Sequence, residues 1–116
     1  MNALKISNEQ RIAIEAIAKD FFQNEFSRTD MPVKIFFDSE LLAIRAEDFF
    51  SVAEIQACGN DSKSAALIYD TYTRQFNNSK SSLIESISQI TGKKIISDQI
   101  RFEPLNCLMT FFLEQT

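Results

Sequence analysis

Tyr69, Tyr72, Phe76, Leu83, Ile87 and Ile90 recur at intervals of three, four or seven residues, which puts all six on one stripe of an α-helix. Asn60-Asp61-Ser62 can cap that helix at its start, and Thr91-Gly92 closes it. A helix of about 30 residues is roughly 45 Å long at 1.5 Å per residue. In a chain of 116 residues this is the length that every other element must accommodate. Two outcomes follow. The helix can break near Asn77-Asn78-Ser79, which are poor interior helix formers. Otherwise it continues, and apolar surface that one chain cannot cover meets a second copy, most simply in a two-fold dimer. A continuous or mildly kinked helix in a homodimer is the expectation adopted.

Gly92 explains the change of pattern in "ISQITGKKIISDQIRF". Glycine suits the left-handed position just past a helix end, and Lys93 and Lys94 suit the negative end of the helix dipole. Ile95 then begins a strand to about Phe102, Glu103-Pro104-Leu105-Asn106 turns the chain, and Cys107 to Glu114 returns as a last strand. In the first half, Ser7 with Gln10 reads as a capping box for a helix over residues 8–26. Met31-Pro32 turns the chain into an extended segment. Val33–Phe37 and Leu41–Arg45 are short strands around a turn at Asp38-Ser39-Glu40. Ser51 with Glu54 is a second capping box, opening a short helix that ends near Gly59. The order αββ-αα-ββ predicts a single α+β domain over residues 1–116, with a four-stranded, mainly antiparallel sheet and helices packed on one face.

Composition narrows the classes of function. Eleven phenylalanines and no tryptophan favour core and interface packing over ligand hydrogen bonding. The net charge of −4 argues against nucleic-acid binding, which needs a basic face. There is no histidine, the commonest general base near neutral pH, and Gly59 and Gly92 are too isolated to form a phosphate loop. Cys58 and Cys107 share no metal or redox spacing and suggest a reducing compartment. The first residues show no secretion signal, and the longest apolar run, Ala65 to Tyr69, is far short of a membrane span. The expectation is a cytoplasmic, non-enzymatic protein without a cofactor and without direct membrane insertion.

Four groups of residues are candidates for function. Phe49, Phe50, Tyr69, Tyr72 and Phe76 are the candidate interface residues, because aromatics dominate interface energetics; burial of Phe49-Phe50 as a core lid is the competing reading. Arg45, Arg74 and Arg101 could converge on a phosphate or carboxylate, against simple pairing with surface acids. Asp38, Glu40, Glu47 and Asp48 could hold a hard cation, against a solvated acidic rim. Cys58, beside a helix end, is the better candidate for a nucleophile but lacks an activating base.

From Met31 onward the chain resembles a small bacterial family of unknown function. That family includes the C component (MpsC) of a sodium-translocating, membrane-potential-generating system. The resemblance rests on Pro32 leading into "VKIFFDSELLAIRAEDFF", on "FSVAEIQ" at a Leu-Thr-x-x-Glu helix start, and on "LIESISQITGKKIISDQI" with its Thr91-Gly92 helix stop. Arg74 matches an arginine midway along the family's long helix. The chain departs from the family in having "SRTDMP" where glycines precede the first strand, and Ser51 in place of threonine. The resemblance implies a regulatory partner of membrane machinery for inorganic-carbon uptake or cation-driven potential, peripheral to the inner face of the membrane, and supplies no catalytic residues.

Overall fold

Side-chain caps and one left-handed glycine set the helix ends. The computed structural model describes residues 6–27, 31–38 and 40–116. Ser7 opens helix α1 (Asn8–Glu25): its hydroxyl accepts from the Gln10 backbone N–H, and the Gln10 side chain accepts from that of Ser7. Ser51 and Glu54 repeat this reciprocal pair at the start of α2 (Val52–Asn60). The Asp61 carboxylate accepts from Lys63 to begin α3 (Ser62–Thr91). Gly92 ends that helix at φ 69°, donating its N–H to Ser88.

The four strands are β1 (Val33–Asp38), β2 (Leu41–Glu47), β3 (Ile95–Glu103) and β4 (Leu108–Gln115). They form one antiparallel sheet in the order β1-β2-β4-β3, so the two hairpins meet through β2 and β4. The fold is α+β, with the helices against one sheet face. One local expectation needs adjustment. Cys107 precedes β4 rather than starting it, because a short 3₁₀ turn at Pro104–Asn106 delivers it in the left-handed conformation (φ 55°). The turn expected at Asp38-Ser39-Glu40 includes Ser39, which lies outside the described residues.

The inner sheet face follows directly from strand alternation. Ile35, Ile44, Phe111 and Ile100 stand in one cross-strand row, and Ala46, Met109 and Phe102 in another. Onto these rows α1 lays Ile14, Ala18 and Phe22 at four-residue spacing, and α3 lays Phe76, Leu83 and Ile87; all six are buried. Phe76 stacks on Phe22 (ring centroids 6.1 Å apart) and meets Phe111 edge to face (4.5 Å), tying both helices to the sheet.

Helix α3 is continuous, and the longest dimension of the molecule is 45 Å. Asn77 and Asn78 do not break it because both face outward while Phe76 and Leu83 on either side are buried. Tertiary packing here overrides weak helix propensity. The expected surplus of apolar surface on α3 is largely absent, since two helices cover it in tandem. α1 runs antiparallel along its second half, with Gln10 Nε2 donating to the Ile90 carbonyl and Gln75 Nε2 donating to that of Glu25. α2 covers the first half, where the Tyr72 hydroxyl donates to Glu54. Only Leu67 among the large apolar residues of α3 is exposed.

The two glycines should respond oppositely to alanine. A Cβ at either position meets open space, yet only Gly92 has positive φ. Gly92→Ala should therefore lose about 1 kcal/mol, and Gly59→Ala inside α2 should gain roughly 0.5 kcal/mol. Urea denaturation of both variants checks this pair of signs.

Candidate interaction face

The aromatic residues expected at an interface are, for the most part, core. Phe49, Phe50 and Phe76 are 0%, 4% and 1% exposed. Asp48 adopts the left-handed conformation (φ 54°), which aspartate tolerates better than most residues and which turns the chain sharply after β2. The Phe49 N–H then donates to the Cys107 carbonyl at 3.0 Å, and the Cys107 thiol lies between the backbone N–H and C=O of Phe50. These bonds hold both rings under α3, where Phe49 meets Tyr72 and Phe26 edge to face. Tyr69 and Tyr72 are half-buried in the same cluster, Tyr69 stacking on Phe102 at 5.3 Å. None of the five stands clear of the core, so they do not form the predicted docking surface.

Among the described residues, the other face of the sheet carries no helix. Strand register places its residues in four rows. The first holds Glu47, Leu108 and Glu103. The second holds Lys34, Arg45, Thr110 and Arg101 across all four strands. The third holds Phe36, Ala43, Phe112 and Gln99, and the fourth holds Asp38, Leu41, Glu114 and Ser97. The face is thus striped acidic, cationic, apolar and acidic along the strand direction. Phe36 and Leu41 remain 43% and 42% exposed, and a hollow of about 110 Å³ lies among Phe36, Asp38, Leu41 and Ala43.

Two of the three predicted arginines meet on this face. Arg45 and Arg101 flank the buried Thr110, one strand to either side. Each guanidinium leans over a ring of the apolar row: Arg45 over Phe36 at 4.7 Å and Arg101 over Phe112 at 5.8 Å. The Arg45 Nε is buried and has no hydrogen-bond acceptor among the described residues. Arg74 does not join them. It is exposed on α3, on the opposite side of the sheet, where it pairs with Asp70 one turn away.

The remaining candidates are dispersed. Asp38 and Glu40 sit at the β1–β2 turn, while Glu47 and Asp48 sit at the far end of β2, with Glu47 3.3 Å from Lys34. A single cation cannot reach both pairs. Cys58 lies beside Tyr69, whose hydroxyl is pushed above its ordinary ionisation range by burial first and by the neighbouring thiol second. A phenol held neutral cannot take the thiol proton near neutral pH. An open groove of about 590 Å³ lies between the end of α3 and the start of β3, bordered by Ser88, Gln89, Lys93 and Lys94.

No family model matches the chain, and no curated protein or solved structure is significantly similar to it. No helix among the described residues is long and apolar enough to cross a membrane.

Phe36, Phe112, Thr110 and Glu114 were missed as surface candidates, although the doublets Phe36-Phe37 and Phe111-Phe112 carried a signal. Successive bulky residues on a strand point to opposite faces, so one of each pair must leave the core. Placing Phe76 inside and Phe36 outside makes a quantitative contrast. Phe76→Ala should cost about 3–5 kcal/mol through cavity formation, and Phe36→Ala less than about 1 kcal/mol. Chemical denaturation of the two variants measures the difference.

Proposed function

We propose that this protein is a non-enzymatic interaction module that binds a protein partner through the outer face of its sheet. One observation carries the reading: large apolar and cationic side chains share a sheet face that no helix among the described residues covers. Exposed aromatic surface bordered by charge is the usual composition of a docking patch. The resemblance to the MpsC family extends the proposal to a regulatory role beside membrane transport machinery for inorganic carbon or cations, on the cytoplasmic side and without insertion into the bilayer. That extension stands on the capping and helix-stop motifs alone. A photo-crosslinking residue in place of Phe112 should capture a defined partner in cells, and Phe36→Asp should abolish capture. Equal capture from Glu15, on the solvent side of α1, would remove the face from consideration.

A small-anion sensor is the second reading, favoured by the placement of Arg45 and Arg101 about Thr110. Two guanidinium groups two strands apart could share a carboxylate or phosphate above the threonine hydroxyl. A thermal-shift panel of bicarbonate, phosphate and small carboxylates should then show stabilisation that Arg101→Ala abolishes and Arg74→Ala leaves intact. A flat panel excludes this reading.

A further inference from the structure

Both readings turn on the same face, and its charge stripes identify an occupant. Building on the proposal that the outer sheet face is the working surface, we infer that a second copy of this chain packs there face to face, about a two-fold axis running across the strands at the Phe36–Ala43–Phe112–Gln99 row. In that arrangement Glu114 of each copy enters between Arg45 and Arg101 of the other, above Thr110.

The register selects this geometry. Two sheets that pack with their strands nearly aligned can be related by a two-fold axis along the strands or across them. An axis along the strands sets each row against itself, bringing Lys34 over Arg101 and leaving the acids without cationic partners. An axis across the strands at the apolar row instead sets the cationic row over the Asp38–Leu41–Glu114–Ser97 row of the second copy, twice by symmetry. Opposite charges then meet on both sides of an apolar centre. By column, Lys34 faces Asp38 and Thr110 faces Glu114. The Glu114 carboxylate arrives one strand away from each of two guanidinium groups, so each of its oxygens can accept from a different arginine.

The apolar row provides the centre. Phe36 and Phe112 meet their symmetry mates there, each already carrying an arginine against its ring. With strands about 4.8 Å apart and alternate residues about 6.8 Å apart, three rows over four strands cover roughly 20 Å by 20 Å. At roughly 400 Å² per copy this is below the standard interface of about 800 Å² per partner, so the association is weak and concentration-dependent. The inference also accounts for the two arginines without a free ligand, since their anion is a side chain of the same sequence.

Sedimentation equilibrium of the full chain up to several hundred micromolar tests the inference through charge exchange. The wild-type chain, 13.3 kDa, should approach about twice that mass. The double variant Arg45→Glu/Arg101→Glu should remain monomeric, and so should Glu114→Arg, because each presents like charges to its own copy. Mixed in equal amounts, the two should recover the doubled mass, since only the mixed pair restores opposite charges at both contacts. Circular dichroism establishes that each variant is folded; should the double variant fail to fold, Arg101→Glu alone, at an exposed position, takes its place in the mixture. A wild-type monomer across the whole range overturns the inference while leaving docking to a different protein intact. A wild-type dimer that both variants preserve overturns it too, by placing the contact elsewhere. Variants that are monomeric alone and stay monomeric when mixed refute this two-fold register.

Discussion

Phe76 is where the molecule is tied together. Its ring lies against Phe22 of α1 and against Phe111 of β4, the strand that joins the two hairpins. Each of those partners is fully buried and in turn organises its own element. A long helix, an antiparallel second helix and a sheet thus share one aromatic contact. The covering of α3 follows from that contact: with α1 fixed along residues 75–90, only the first half of the helix is left for α2. The short α2 is long enough for that half, because Phe49, Phe50, Tyr69 and Tyr72 fill the space between it and β3.

This tandem covering changes where a partner can bind. A helix 45 Å long suggests surplus apolar surface when it is considered alone, and that consideration pointed to its aromatic residues as an interface. Within the fold the same residues are what the chain uses to cover its own longest element. Open apolar surface is found on the sheet, whose inner face takes both α1 and α3 and whose outer face takes no helix among the described residues. A small domain with one layer of helices cannot cover both faces of a four-stranded sheet. The outer face must therefore carry its own solution to exposed phenylalanines, and the arginines laid across Phe36 and Phe112 are part of it.

Local signals were legible wherever a residue acts on its immediate neighbours. Ser7 with Gln10, Ser51 with Glu54, Asp61 and Gly92 each act within a few residues, and all four mark helix boundaries in the structure. The hairpins were readable for the same reason, apart from the shift of Cys107 out of β4. The site was much less readable. Arg45 and Arg101 are 56 positions apart in sequence and two strands apart in space, and only the order β1-β2-β4-β3 brings them around Thr110. Arg74 had the same chemical suitability, yet α3 carries it to the other side of the sheet. Residue type alone could not separate these three arginines.

The sequence by itself determined the element order, the helix ends and the α+β class, because caps, glycine conformation and hydrophobic period depend on nearest neighbours along the chain. Only the tertiary structure decided which phenylalanines are core, which arginines share a face and which surface is left open. Those outcomes depend on strand order, on register and on the side of the sheet to which the helices return. They are set by how the whole chain competes to bury a limited amount of apolar surface, which no single stretch of sequence encodes.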